Sequence, residues 1–266
     1  MVSEGKVGNS GYTYISNPSA HVVGPRGYRL NTSGVERAVH RTRTLIDKLS
    51  KFEVNVFALL GMRNLSAFLG EVFAAAMILE HEELFKKNPH QDGYPDLLLL
   101  DEAGSKEWER LSSRLRDKGP FSPFAPGGFE VKATCGSVPT PAQLQKRGLE
   151  KPDMGDQRIG LLNGYDWKAH HQETNHLFGL YWDFIDGCPT IAAVFYRGDL
   201  TKQDWGAIVQ PREGGGRTTS VSIMTRDGVR KMYQGWVMFI ARDSYASFLD
   251  ARNGDTLLTQ ALTKAR

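Results

Sequence analysis

The segment NLSAFLGEVFAAAMILEHEELFKK, residues 64–87, limits the folds open to this chain more than any other stretch. It is apolar nearly all round until Glu80, and a helix apolar on every face belongs inside a protein. A chain of 266 residues can enclose such a helix without disulfide staples. The uninterrupted apolar run from Val72 to Leu79 is far short of the ~20 residues a membrane helix needs. Glu71 is the anomaly. A carboxylate within such a helix must be paired, hydrogen-bonded or bound to metal, unless it sits at a solvent-facing position. The helix is expected to start near Asn64 or Ser66.

Composition narrows the class further. Hydrophobic residues make up 40 % and charged residues 24 %, a globular balance that argues against disorder. Cys135 and Cys188 make neither a disulfide framework nor a cysteine-rich zinc site. The N-terminus, MVSEGKVGNSGYTY, has no apolar signal core, so the expectation is a soluble cytoplasmic protein with no membrane partner. A net charge of +3 permits a polyanionic partner without requiring one.

The first thirty residues, rich in Gly, Ser, Asn and Pro, read as an irregular arm. Ser33 and Glu36 form a capping box opening a helix whose apolar positions run from Val35 to Leu49. Its other face carries Arg37, Arg41, Arg43 and Lys48, either solvated or touching phosphate. After a Gly-Tyr-Pro turn, LLLL is a short buried strand. KEWERLSSRLRDK is an amphipathic helix, GPFSPFAPGGF a loop, and FEVKAT an alternating strand. PTPAQLQKRGLEKPDMGDQ is a loop with a short helical turn. HLFGLYWDF and PTIAAVFY are strands that can pair as a hairpin across IDGC. SVSIMT and WVMFIA are further strands, and a C-terminal helix is open to a break at Asn253-Gly254. No repeat or composition shift divides the chain. The expectation is one α/β domain over residues 1–266, a mixed central sheet flanked by helices: an arm over 1–32, catalytic elements over 33–135, and the remaining sheet with recognition elements over 136–266.

The chemistry lies in two short motifs. Asp96 follows Pro95 at the opening of the LLLL strand, and Glu130-Val131-Lys132 lies within FEVKAT. Strand alternation points Glu130 and Lys132 to one face. If the two strands are neighbours, Asp96 and Glu130 converge. Two such carboxylates, with the Val131 carbonyl as third ligand, suit a hard cation that keeps several waters, Mg²⁺ with Mn²⁺ as a substitute. Phosphodiester hydrolysis needs charge neutralised at the phosphate and a water held in line. Lys132 is placed to orient or deprotonate that water.

Pro95-Asp96 followed by Glu130-Val131-Lys132 resembles the PD-(D/E)xK nuclease superfamily, to which most type II restriction endonucleases belong. The acids stand 34 positions apart, toward the long side for that superfamily, and an inserted helix and loop account for the length. Glu71 matches a glutamate that recurs on the preceding helix in many such nucleases. The resemblance covers roughly residues 60–135, and the last third matches only in its strand–helix pattern. It implies a restriction-endonuclease-like core and Mg²⁺-dependent cleavage of double-stranded DNA. Asp96, Glu130 and Lys132 would be catalytic, and Glu71 would hold a second metal directly or through water. It also implies a homodimer whose two active sites cut a palindrome, a cognate DNA methyltransferase, and a bacterial or archaeal cell. The rivals are a structure-specific repair or recombination nuclease of the same superfamily, a non-catalytic DNA-binding protein with this fold, and an unrelated α/β protein with neither Mg²⁺ dependence nor salt-sensitive DNA affinity.

The pattern implies a second surface that reads DNA. REGGGRTTSVSIMTRDGVRKMYQGW gathers Arg212, Arg217, Thr218, Thr219, Arg226, Arg230 and Lys231 as candidates for phosphate and guanine contacts, or for a solvated face. In WKAHHQETNH, the spacing of His170, His171 and His176 does not match an HExxH zinc helix. They either cap the turn before the next strand or contact DNA, and His170 and His171 are carried as DNA-binding candidates. Trp167, Trp182, Trp205 and Trp236 read as core residues.

Overall fold

The computed structural model describes residues 12–211 and 220–266. Its strands are β1 (Tyr14–Ser16), β2 (Val22–Val23), β3 (Arg29–Leu30), β4 (Phe85–Lys87), β5 (Leu97–Leu99), β6 (Gly128–Thr134), β7 (Lys168–Ala169), β8 (Leu177–Ile185), β9 (Cys188–Arg197), β10 (Ser222–Ile223) and β11 (Trp236–Ile240). Its helices are α1 (Thr32–Leu49), α2 (Val56–Glu80), α3 (Glu102–Leu111), α4 (Pro141–Lys146), α5 (Arg226–Gln234), α6 (Asp243–Asn253) and α7 (Leu257–Ala265). Seven strands make one mixed sheet in the order β1-β11-β9-β8-β6-β5-β4. Neighbours in it run antiparallel except β6 and β8, which are parallel.

The expected hairpin is the centre of this sheet. β8 is buried along its whole length and β9 over all but its end residues, because helices cover both faces. Ile185 pairs with Cys188 across Asp186 and Gly187, whose φ angles of 53° and 76° are those a two-residue hairpin turn requires. On one face, Val35, Ala38, Phe73 and Met77 of α1 and α2 pack on Phe129, Val131, Phe178 and Leu180. On the other, Met232, Tyr245, Leu249 and Leu258 of α5 to α7 pack on Leu177, Tyr181, Phe195 and Phe239. Each Val, Leu, Phe or Met side chain among these contributes about 1.5–3 kcal/mol when fully buried. Leu111 of α3 joins Phe121 and Phe124 over Leu98. The four tryptophans expected in the core are there. Among the described residues no single helix is long and apolar enough to cross a membrane.

Several expectations need correction. The lead-in is not wholly irregular: β1 is the edge strand against β11, and β2 and β3 form a small ribbon. The cap of α1 is Asn31, whose side chain accepts the Ser33 N–H, while Ser33 Oγ accepts from Arg37. α2 begins at Val56 behind an Asn55 cap and breaks at Gly61, where φ is 65°. It is not buried all round, because the sheet and α1 cover only part of it. Glu71, Ala75 and Leu79, four apart, form an exposed stripe. SVSIMT supplies only β10, which pairs with β7 outside the main sheet. The C-terminal helix is divided as expected, with Gly254 in the left-handed conformation ending α6.

Candidate active site

Pairing between β5 and β6 stops at Leu97 and Phe129, one residue short of Asp96 and Glu130. Beyond that point side chains replace the backbone ladder. The Asp96 N–H donates to Glu130 Oε2 at 3.2 Å, and the Val131 N–H donates to Asp96 Oδ2 at 2.9 Å. The Glu130 N–H points the opposite way, to the His176 carbonyl at 2.9 Å. Backbone groups alternate along a strand, so the Val131 carbonyl faces the Asp96 side with its own N–H. The ammonium of Lys132 lies between the acids, 2.5 Å from Glu130 Oε1 and 3.4 Å from Asp96 Oδ2. The structure therefore brings Asp96, Glu130, Val131 and Lys132 together.

Glu130 is only 4 % exposed, and burial pushes its carboxyl up to about 7, against the opposing pull of Lys132. For Lys132, burial works to lower the ammonium, but Glu130 and Asp96 outweigh it and hold it above the ordinary lysine value. Lys132 is thus a firmly charged hydrogen-bond donor.

One wall of the site comes from the segment before β8. The Tyr94 hydroxyl lies 3.1 Å from both the Glu173 carbonyl and Asn175 Oδ1, and it accepts from the Asn175 N–H at 3.4 Å. Burial pushes the Tyr94 phenol up to about 12. His171 stands edge-on to Tyr94, with ring centroids 4.5 Å apart. Sequence reasoning missed Tyr94 and Asn175, although the Gly-Tyr-Pro turn placed Tyr94 two residues from Asp96. A cavity of about 460 Å³ lies elsewhere, lined by His21, His176, Arg197 and Trp236 among others.

The donor set fits a hard cation. Two carboxylates meet at Lys132, whose positive group stands between them, and strand alternation turns the Val131 carbonyl to the same side. Among the described residues no three His, Cys, Asp or Glu side chains gather to hold a metal.

Glu71 is not the buried helical acid expected. It is exposed, because it lies on the uncovered stripe of α2, and its carboxylate pairs with Lys87 of β4. α2 packs on the face bearing Phe129 and Val131, opposite the one to which Glu130 and Lys132 point.

The DNA-contact candidates separate into groups. Arg212, Arg217, Thr218 and Thr219 lie outside the described residues. Arg226 and Arg230 are exposed on α5. Lys231 is committed to structure, bonded to the Asp199 carbonyl and paired with Asp204 at 3.2 Å. His170 Nδ1 meets the Ser220 carbonyl at 2.9 Å. Within the basic face of α1, Arg37 and Arg41 clasp Glu80 at the end of α2, which draws the Glu80 carboxyl below its ordinary value.

No family model, curated protein or solved structure matches this chain.

Proposed function

We propose that this chain is a Mg²⁺-dependent endonuclease that cleaves phosphodiester bonds of double-stranded DNA, built on a restriction-endonuclease-like core. The observation that carries the reading is the meeting of Asp96, Glu130 and Lys132 where β5 and β6 part. Sequence-specific cutting as a type II enzyme, a homodimer and a cognate methyltransferase belong to the same proposal.

Asp96, Glu130 and the Val131 carbonyl are the groups that would hold the metal. A bound Mg²⁺ supplies Lewis-acid neutralisation of phosphate charge and acidifies a coordinated water. Lys132, kept charged by its two acids, donates hydrogen bonds: it orients the attacking water and offsets negative charge at phosphorus rather than abstracting a proton. The water oxygen would form a new P–O bond as the bond to the leaving ester oxygen breaks; the water gives up a proton to solvent and the leaving oxygen takes one from solvent, leaving a phosphate monoester and an alcohol. The Asp96 carboxylate is aligned by the Val131 N–H, so the site is ordered by its own strand. Arg226 and Arg230 offer exposed charge for the DNA backbone.

The test is a digest of unmethylated phage DNA with and without Mg²⁺, beside Asp96→Ala and Lys132→Ala proteins. Discrete Mg²⁺-dependent fragments, lost in both variants, are expected. Cutting confined to branched DNA indicates a structure-specific nuclease instead. Cleavage that survives both substitutions refutes this active site.

A further inference from the structure

We infer that His171 is a phosphate-binding residue of this site, presenting its Nε2–H to a non-bridging oxygen of the phosphodiester that Asp96, Glu130 and Lys132 act on. This rests on the nuclease reading above. The first observation is the tautomer. The Glu173 N–H donates to His171 Nδ1 at 3.2 Å, so Nδ1 is an acceptor and the ring proton sits on Nε2. The second is placement. The half-buried ring leans on Tyr94, two residues before Asp96, and the Tyr94 hydroxyl is clamped to Glu173 and Asn175 on the segment that carries His171. The histidine and the Asp96 turn are thereby one unit. Burial first, and then the charge of Lys132, lower the imidazole from its ordinary value, in the direction that favours the Nδ1 acceptor already seen in the bond from Glu173. A neutral donor adds a hydrogen bond to an anionic oxygen without repelling Lys132.

The neighbouring histidines are spent otherwise. His170 holds the Ser220 carbonyl through Nδ1. His176 Nδ1 lies 3.0 Å from the Tyr196 hydroxyl, which donates to the Val23 carbonyl at 2.7 Å. His171 alone of the three stands against the turn that carries Asp96.

The test compares His171→Ala and His171→Gln in steady-state cleavage of a duplex with Mg²⁺. It is paired with ¹⁵N spectra of histidine-labelled wild-type protein at pH 8. Loss of one preorganised phosphate donor is expected to lower kcat/KM of the alanine variant by about 100-fold. The glutamine variant, which keeps an N–H donor, is expected to recover most of that loss. The spectra should show Nδ1 unprotonated in the free protein, and a shift of the His171 Nε2–H when a short duplex is added without metal. Equal loss in both variants means a structural role and overturns the proposal, as does no loss in either. If wild-type protein cuts no DNA, the nuclease reading falls by itself. The spectra then decide for His171: a duplex-induced shift upholds phosphate binding, and none overturns it.

Discussion

Glu130→Gln is expected to remove a fall in stability that the wild-type protein shows as pH rises from about 5 to 8. Glu130 is 4 % exposed, and burial lifts its carboxyl from the ordinary 4.5 to about 7. The folded protein therefore holds this proton more tightly than the unfolded chain does. For a group raised in this way, the stabilising share is complete below pH 4.5 and is lost as the pH climbs through 7. At ~1.36 kcal/mol for each pH unit, a rise of about 2.5 units comes to about 3 kcal/mol. An amide has no such proton to give up. Urea denaturation at pH 5, 6, 7 and 8 reads the effect as the difference between the two proteins, which cancels the other titrating groups. The wild-type midpoint should fall relative to the variant as the pH rises, whatever constant offset the lost pairing with Lys132 adds, and the variant should cut no DNA. Parallel stability–pH curves would refute the reasoning, because they would mean that burial does not govern Glu130.

Glu71→Gln removes an exposed pair with Lys87, so it should change stability by less than about 0.5 kcal/mol and the Mg²⁺-dependent cleavage rate by less than ~3-fold. A larger loss of rate in the same assay would return Glu71 to the proposed metal site. Asp183→Asn should cost about 2 kcal/mol in urea denaturation, because the carboxylate accepts from the Arg158, Ile159 and Phe184 amides and the Tyr245 hydroxyl, and an amide nitrogen cannot accept. Arg226→Glu and Arg230→Glu should weaken duplex binding and lower the salt dependence, log K against log salt, by about 1 for each lost phosphate contact. An unchanged slope would take α5 out of the proposed DNA interface.

The central hairpin was legible because two long apolar runs flank a turn that favours positive φ, and a sheet covered on both faces needs such runs. The pairing of Glu130 with Lys132 was legible because strand alternation needs no tertiary information. Glu71 was misread because alanine counts as apolar wherever it stands: Ala75 beside it gave the appearance of a buried face, though the stripe it shares is exposed. The edge strand β1 has three residues, too few to show a period, and its tie to the fold is remote in sequence, the Tyr14 hydroxyl donating to the Ile191 carbonyl at 2.6 Å. Lys231 read as a DNA contact because Asp199 and Asp204, its partners, lie about thirty residues away. The clamp between Tyr94 and Asn175 was invisible for the same reason.

The end of the β5–β6 ladder gives Asp96 two duties that substitution can separate. Where the ladder stops, the Val131 N–H loses a backbone partner, and an N–H left unpaired there costs about 1–3 kcal/mol. Asp96 Oδ2 supplies the acceptor at 2.9 Å, and the same oxygen faces Lys132. Asp96→Ala removes both the acceptor and the negative charge. It should lower stability by about 1–3 kcal/mol as well as abolish cleavage, so its inactivity alone does not distinguish a lost metal ligand from a disordered strand. Asp96→Asn keeps a carbonyl oxygen for the Val131 N–H and loses only the charge. It should retain most of the stability in urea denaturation while its Mg²⁺-dependent cleavage falls by at least ~100-fold, the scale on which removal of one preorganised charge-stabilising group acts. If the asparagine variant proves as unstable as the alanine one, the Val131 bond is not what the residue contributes to the fold. If it still cuts at the wild-type rate, Asp96 does not hold the metal.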